Sequence, residues 1–210
     1  MISGKNVYIL GAGASADAGG PLMDEFIEKA RRLYINPGVL NDYEKEKFKN
    51  ALNFRDRFRR ANDVVNFDFE HLEHTFSLID MAGELGFPEA EKARDDFIFL
   101  IYRTLEKAIK IQLDDPSNPV KTYSTLARII MKDPDHNSVI TFNYDVAFEY
   151  AYSKLSGKSH PINYCVCQSP PQTLQGLKVL KLHGSLNWTK CPKCNHLSVY
   201  EVLKYDNCIE

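Results

Sequence analysis

This sequence has no long hydrophobic run, no strong net charge and no repeated or low-complexity tract. The apolar run Phe97–Tyr102 is far shorter than the roughly 20 residues that cross a membrane. The run Val7–Leu10, which follows a single N-terminal lysine, is too short for the core of a secretory signal peptide. A net charge of −2 gives no basic field to attract nucleic acid. We therefore expect a cytoplasmic protein whose partners are small molecules or other proteins.

Cysteine is also scarce, with five in 210 residues. In a cytosolic chain such cysteines are more often thiols or metal ligands than disulfides. Cys191 and Cys194 have the two-residue separation with which two thiolates close a knuckle on one zinc ion. Cys208 stands where a second knuckle would begin, and its partner would be residue 211. We predict a structural Zn²⁺ site with the ligands Cys191, Cys194 and Cys208, and we expect the sequence to end before the last ligand of this site. His196 could be a fourth ligand, but it is so close to Cys194 in sequence that the geometry would be unfavourable. The simpler alternative is a turn with two reduced thiols.

The stretch Val7–Pro21 reads V-Y-I-L-G-A-G-A-S-A-D-A-G-G-P. An apolar run enters a glycine-rich corner and an alanine-rich helical pattern leaves it, which predicts a buried strand followed by a helix that starts near Ser15. Gly11 and Gly13 would let the backbone turn tightly and approach a ligand, and the helix start would offer N–H groups to an anion. We predict a nucleotide phosphate site here; an ordinary strand-to-helix turn is the alternative.

The rest of the chain favours an α/β fold with a helical interruption. A dehydrogenase-type Rossmann domain would continue with a second strand and an acidic residue about 20 residues past the glycines, and neither appears. Periodicity instead predicts helices over 24–34, 43–61, 69–85, 89–113, 123–132 and 146–155, and strands over 138–142 and 178–183. We predict a Rossmann-like parallel sheet flanked by helices, with a helical insertion at about 41–113 after the first strand–helix unit and a partial zinc ribbon at the C-terminus.

Polar residues follow two of the predicted strands. Asn143 and Asp145 suit ribose hydroxyls or an ordered water, although either can simply cap the next helix. His183 stands beside Gly184, which leaves room for a ligand, and can act as a general base near neutral pH or be structural. Ligands bind beyond the carboxyl ends of parallel strands, so we expect these side chains and the glycine corner to face one crevice.

The motifs G-A-G-A-S with A-G-G-P, then T-F-N-Y-D, then K-L-H-G-S followed by C-P-K-C resemble the sirtuin superfamily, in the same order. They are most similar to the sirtuin-like NAD hydrolase domains of prokaryotic antiphage defence proteins. Protein deacylases usually have Asp-Phe-Arg after the proline, whereas Leu22-Met23-Asp24 follow Pro21 here. Phe142 and Tyr144 stand where deacylases usually have glutamine and an aliphatic residue.

The resemblance implies a sirtuin-like Rossmann domain over 1–187 and an incomplete zinc-ribbon segment over 188–210. It implies hydrolysis of NAD⁺ to ADP-ribose and nicotinamide through an oxocarbenium-like ribose. Asn143 would position the nicotinamide ribose or the attacking water, and His183 would be the base. The resemblance further implies that NAD is bound by Gly11, Ala12, Gly13, Ala14, Ser15, Asp145, Gly184 and Ser185.

Three other functions stay open from the sequence: an NAD-dependent protein deacylase, a sensor that binds NAD or ADP-ribose without chemistry, and a zinc-ribbon interaction module. The family's last strands are missing, which implies that this segment alone binds NAD weakly or does not turn it over. A regulatory protein or domain in a longer polypeptide and a homo-oligomer also stay open, and we expect no membrane partner and no direct contact with nucleic acid. Glu70 and His74 share a helix face without a third metal ligand, so we interpret them as a solvated face or local salt pair. Cys165 and Cys167 alternate along a predicted strand, which would place one of them in the core.

Overall fold

A computed structural model describes residues 5–59, 68–109, 121–157, 160–166, 176–191 and 193–200. The chain divides into two compact units. The sheet unit comprises Met1–Gly20 and Ile109–Glu210, and the helical unit comprises Pro21–Ala108. The helical unit therefore begins earlier than the insertion predicted at about 41–113.

The described part of the helical unit is built from α-helices whose existence the periodicity predicted. They are α1 (Phe26–Ile35), α2 (Asp42–Arg59), α3 (Leu72–Glu84) and α4 (Ala90–Ala108). Helix α1 shows why the pattern predicts a helix, because residues three and four apart share one side. Phe26, Ile27 and Ala30 accordingly form its buried face. Over the described residues, no helix is long and apolar enough to cross a membrane.

The described part of the sheet unit combines two more α-helices with six strands. The helices are α5 (Lys121–Ile130) and α6 (Ala147–Ser156). The strands are β1 (Asn6–Leu10), β2 (Asn137–Thr141), β3 (Ile162–Asn163), β4 (Leu177–Lys181), β5 (Trp188–Lys190) and β6 (Leu197–Val199). The last two strands form a separate antiparallel hairpin.

The larger sheet has four parallel strands in the order β1-β2-β4-β3, which gives the sheet unit a Rossmann-like α/β fold. Leu10 is paired with Thr141, and Thr141 with Lys181. Strands β1, β2 and β4 therefore end at the same level. The residues that follow them, which carry the three sequence motifs, begin from one edge of the sheet.

One face of this sheet packs against α5 and α6. The face is formed by buried residues of β2 and β4, and the helices add Tyr123, Ala127, Phe148 and Tyr152. The prediction that β1 is a buried strand is wrong for one of its faces, because Val7 is 57% and Ile9 69% exposed. Strand β1 lies at the edge of the sheet, and successive side chains of a strand point to opposite faces. Only the alternate residues of β1 pack against the core.

Candidate functional site

The first motif does not open an α-helix, so the prediction of a helix starting near Ser15 is wrong in type. Residues Ala12–Ala18 form a 3-10 helix, in which the N–H of Ala14 donates to the carbonyl of Gly11 at 2.9 Å. Gly19, with φ of 89°, ends the segment. So short a segment aligns fewer peptide dipoles than the α-helix that was predicted, and the argument from the helix dipole no longer applies.

Neither the backbone nor the packing of the chain requires glycine at positions 11 and 13. Gly11 is extended, with φ of −116° and ψ of −173°, a conformation open to any residue, so the predicted need for a special turn there is wrong. Among the described residues, a methyl group at Gly11 or Gly13 would meet no atom within 4 Å, whereas one at Gly20 would lie 2.9 Å from Cβ of Ser15. The described part of the chain therefore leaves the space over Gly11 and Gly13 open. Beside them, Ala12 and Ala14 are half-buried, and Ala14 packs against the core.

Ser15 joins the first motif to the second inside the core. Its side chain is buried, and its Oγ donates to Oδ2 of Asp145 at 2.6 Å. The same Oγ lies 2.8 Å from the hydroxyl oxygen of Tyr123 in α5. The other carboxylate oxygen of Asp145 accepts the backbone N–H of Ala147 at 2.9 Å, at the start of α6. Asp145 therefore binds the first N–H of α6 and also holds Ser15, but the N-cap of this helix is Val146, so the simpler alternative of Asp145 as the cap is wrong.

Asn143 is 7% exposed, and both of its side-chain hydrogens are used inside the protein. Its Nδ2 donates to the carbonyl of Gly11 at 2.8 Å and to Oγ of Ser15 at 3.0 Å, and its backbone N–H donates to Oγ1 of Thr141 at 3.0 Å. Its Oδ1 is buried and has no partner in the described part of the chain. An unsatisfied buried acceptor costs about 1–3 kcal/mol, so Asn143 offers an acceptor suited to a hydroxyl or a water.

His183 lies against the residues on either side of Asn143. It is exposed, and its ring centroid is 5.4 Å from that of Phe142 and 5.9 Å from that of Tyr144. The N–H of Leu186 donates to the carbonyl of Tyr144 at 2.9 Å, which ties the two loops together. The ends of β2 and β4 therefore hold an amide and an imidazole on neighbouring loops, beside the glycine corner that Asn143 binds.

The loop after His183 is stabilised by hydrogen bonds of its own side chains. Gly184 has φ of 92°, which favours glycine. The hydroxyl of Ser185 donates to Oδ1 of Asn187 at 2.6 Å, and Nδ2 of Asn187 donates to the carbonyl of Tyr200 at 2.9 Å. Ser185 is thus engaged in supporting its own loop, which sequence reasoning did not anticipate.

Sequence reasoning also missed a buried ion pair beneath the site. Lys181 and Glu149 are 5% and 1% exposed, and Nζ of Lys181 lies 2.7 Å from Oε1 of Glu149. The same ammonium donates to the backbone carbonyl of Asp145. Burial raises the pKa of the Glu149 carboxyl, and Lys181 opposes this rise. The alternation in β4 held a signal, because Leu177, Val179 and Lys181 fall on one face.

Cys191 and Cys194 lie near the tip of the β5–β6 hairpin, where the N–H of Cys191 donates to the carbonyl of His196 at 2.8 Å. Hydrogen bonds from the backbone N–H groups of Cys194 and Lys193 lower the pKa of the Cys191 thiol from 9.0. A thiol that accepts backbone N–H bonds fits a zinc knuckle. The described residues nevertheless contain no group of three metal-ligating side chains, and Cys208 and Cys167 lie outside them. Cys165 is exposed just after β3, so it is not a core residue.

The Glu70–His74 cluster supports the local salt-pair interpretation. Glu70 pairs with the fully buried Arg55, and the rings of His71 and His74 stack with centroids 4.4 Å apart. Arg55 also donates to the carbonyl of Phe69 at 2.8 Å, which anchors this segment on α2.

No protein-family model matches this chain, and no curated protein matches it significantly.

Proposed function

We propose that this protein hydrolyses NAD⁺ at the bond between nicotinamide and ribose, as the effector domain of an antiphage defence protein. The observation that carries the proposal is the unpartnered, buried Oδ1 of Asn143, whose Nδ2 donates to the carbonyl of Gly11, over which the described residues leave open space. Phe142 and Tyr144 contact the ring of His183 and hold it near Asn143. The imidazole of His183, at the end of β4, can therefore serve as the proton acceptor. The resemblance of the three motifs to sirtuin-like NAD hydrolases supplies the substrate.

The side chains suit the steps of this reaction. The bond between the ribose C1′ and the nicotinamide nitrogen breaks, and its electron pair leaves with nicotinamide. The positively charged ribose is attacked at C1′ by the oxygen of water, and His183 accepts one of the water protons before releasing it to solvent. The free Oδ1 of Asn143 accepts a hydrogen bond from that water or from a ribose hydroxyl. The products are ADP-ribose, nicotinamide and a proton.

Other parts of the chain receive roles under the same proposal. Gly11 and Gly13 admit the pyrophosphate of NAD, and Asp145 orders the pocket through Ser15. Helices α2, α3 and α4 form the helical insertion predicted at about 41–113, and Cys191 and Cys194 supply two thiolate ligands of a structural zinc ion. A regulatory protein or domain would hold the hydrolase dormant.

The proposal is tested by incubating the purified protein with NAD⁺ and measuring NAD⁺ loss and nicotinamide release by chromatography. We expect His183→Ala and Asn143→Ala to lower the rate by about a hundredfold or more. The matched control is His136→Ala, since His136 is exposed and pairs with Asp133. His136 precedes β2, whereas the site follows the other end of this strand. At a rise of about 3.3 Å per residue, the two ends are separated by about 16 Å.

Three results would overturn the proposal. Release of nicotinamide only when an acyl-lysine peptide is added would make the protein a deacylase. Tight NAD binding by calorimetry without turnover would make it a sensor. Equal rates for the wild type and His183→Ala would separate the activity from this site.

A further inference from the structure

Tyr123 meets the site from a part of the chain that none of the three motifs contains. It lies on α5, is 2% exposed, and its ring packs edge-on against Phe148 with centroids 5.9 Å apart. Its hydroxyl reaches Oγ of Ser15 at 2.8 Å, across 108 positions of sequence. We propose that Tyr123 is a positioning residue for NAD⁺ cleavage, whose hydroxyl fixes Ser15 and through it the side-chain amide of Asn143. This inference rests on the proposed function.

The direction of each hydrogen bond in this network follows from the groups themselves. The carboxylate of Asp145 only accepts, so the single proton of Ser15 must point to Oδ2 of Asp145. The oxygen of Ser15 is then left as an acceptor, and it receives the hydroxyl proton of Tyr123 and one amide proton of Asn143. These hydrogen bonds have one consistent set of directions, in which Tyr123 donates to Ser15 and Ser15 donates to Asp145.

Tyr123 keeps the proton that this arrangement needs. Burial, together with the nearby charge of Asp145, raises the pKa of Tyr123 well above 10.0. The hydroxyl therefore stays a donor at every pH at which the protein would work.

The network decides which atom of Asn143 remains free. Its Nδ2 is held by the carbonyl of Gly11 and the oxygen of Ser15, and rotation of the amide would place two oxygens against each other at Gly11. Its Oδ1 is therefore the atom left for the water or ribose hydroxyl. Loss of the Tyr123 hydroxyl would remove one of the bonds that fix Ser15, and a small misplacement of Asn143 would slow the chemical step.

The experiment compares Tyr123→Phe with Tyr152→Phe. Both remove one hydroxyl from a buried tyrosine of the same core, but the hydroxyl of Tyr152 has no partner in the described residues. We expect Tyr123→Phe to lower kcat by about tenfold and to leave KM for NAD⁺ within about twofold, since the change acts on positioning. We expect Tyr152→Phe to leave both constants unchanged.

A double-mutant cycle separates positioning through Ser15 from a general loss of packing. In a Ser15→Ala background, Tyr123→Phe should change kcat by less than about twofold, because the residue through which it acts is gone. Two losses that simply multiply would overturn the inference, as would an unchanged kcat in Tyr123→Phe alone.

A readout independent of turnover keeps this inference distinct from the proposed function. The side-chain amide signals of Asn143, assigned in ¹⁵N NMR spectra by their loss in Asn143→Ala, should shift or broaden in Tyr123→Phe and not in Tyr152→Phe. A wild type without NAD⁺ cleavage would defeat the proposed function, and the NMR comparison would then still decide whether Tyr123 orders Asn143. Unchanged Asn143 signals in Tyr123→Phe would overturn the inference.

Discussion

Replacing Lys181 with methionine should lower the free energy of unfolding, because Lys181 is the partner of the buried Glu149 carboxylate. Methionine keeps the length of the side chain but removes the charge and both hydrogen bonds, to Glu149 and to the carbonyl of Asp145. Glu149 is 1% exposed, so water cannot replace the lost ammonium. The carboxyl must then stay charged in the core or take up a proton.

The size of the effect follows from the ordinary pKa of glutamate, 4.5. At pH 8, holding Glu149 neutral costs up to about 1.4 kcal/mol for each of about 3.5 pH units, or about 5 kcal/mol. Breaking a buried ion pair by removing one partner typically costs about 3–5 kcal/mol. We therefore expect Lys181→Met to lower the free energy of unfolding by about 3–5 kcal/mol at pH 8. At pH 5, only about 0.5 pH unit above that pKa, holding the carboxyl neutral costs less than about 1 kcal/mol, and the total cost should fall to about 1–2 kcal/mol once the lost hydrogen bonds are included.

The assay is urea unfolding followed by the fluorescence of Trp188, the single tryptophan, which lies in the sheet unit. Lys178→Met is the matched control, because Lys178 is on the same strand but exposed, and it should change stability by less than about 0.5 kcal/mol. The double variant Lys181→Met/Glu149→Gln should recover part of the loss at pH 8 and show little dependence on pH. A loss in Lys181→Met below about 1 kcal/mol, or one that is the same at pH 5 and pH 8, would refute the reasoning.

Three further predictions use other features of the sheet unit. Gly20→Ala should lower stability by about 1–3 kcal/mol in urea unfolding, because its methyl group would meet Ser15, whereas Gly11→Ala should unfold like the wild type but bind NAD⁺ more weakly by calorimetry. Burial raises the pKa of Tyr152 to about 12 from 10.0, so the folded state holds its proton longer, and between pH 10 and pH 12 the wild type should lose up to about 2.7 kcal/mol more stability than Tyr152→Phe, in which the other buried tyrosines still titrate. Purified protein should contain one zinc ion by atomic absorption, and Cys191→Ser should reduce that content.

Each of these has a contrary result. Equal stability of the Gly20→Ala and Gly11→Ala variants, or unchanged NAD⁺ affinity in Gly11→Ala, would contradict the packing argument at these glycines. Equal losses of unfolding free energy from pH 10 to pH 12 in the wild type and in Tyr152→Phe would mean that Tyr152 is not shielded. Zinc-free protein that folds normally would favour two reduced thiols in a turn.

The fold could be predicted to the extent that it depends on local spacing. The buried faces of α1 and α4 and the position of β2 follow from apolar periodicity, and the α/β alternation after residue 120 gave the parallel sheet. Strand β1 shows where this fails, because an apolar run does not say whether a strand lies at the centre or the edge of a sheet. The 3-10 helix at Ala12–Ala18 shows a second failure, since alanine-rich spacing does not distinguish the two kinds of helix over one or two turns.

The sequence predicts several residues of the candidate site, but it does not predict the hydrogen bonds between them. Asn143, Asp145 and His183 stand out because polar residues at strand ends are informative without any partner being known. Tyr123 and Lys181 do not, because both occupy positions in an apolar pattern, and only the packed sheet brings them to Ser15 and Asp145.

By itself, the sequence determined the α/β class, most of the helices and the three motifs with their order. These properties depend on neighbours in the chain, and periodicity and turn residues record them. Only the tertiary structure decided that β1, β2 and β4 end at one level, and that the amide of Asn143 is turned so that its oxygen is free. Register and hydrogen-bond polarity arise here between residues from 40 to more than 100 positions apart, so no local pattern contains them.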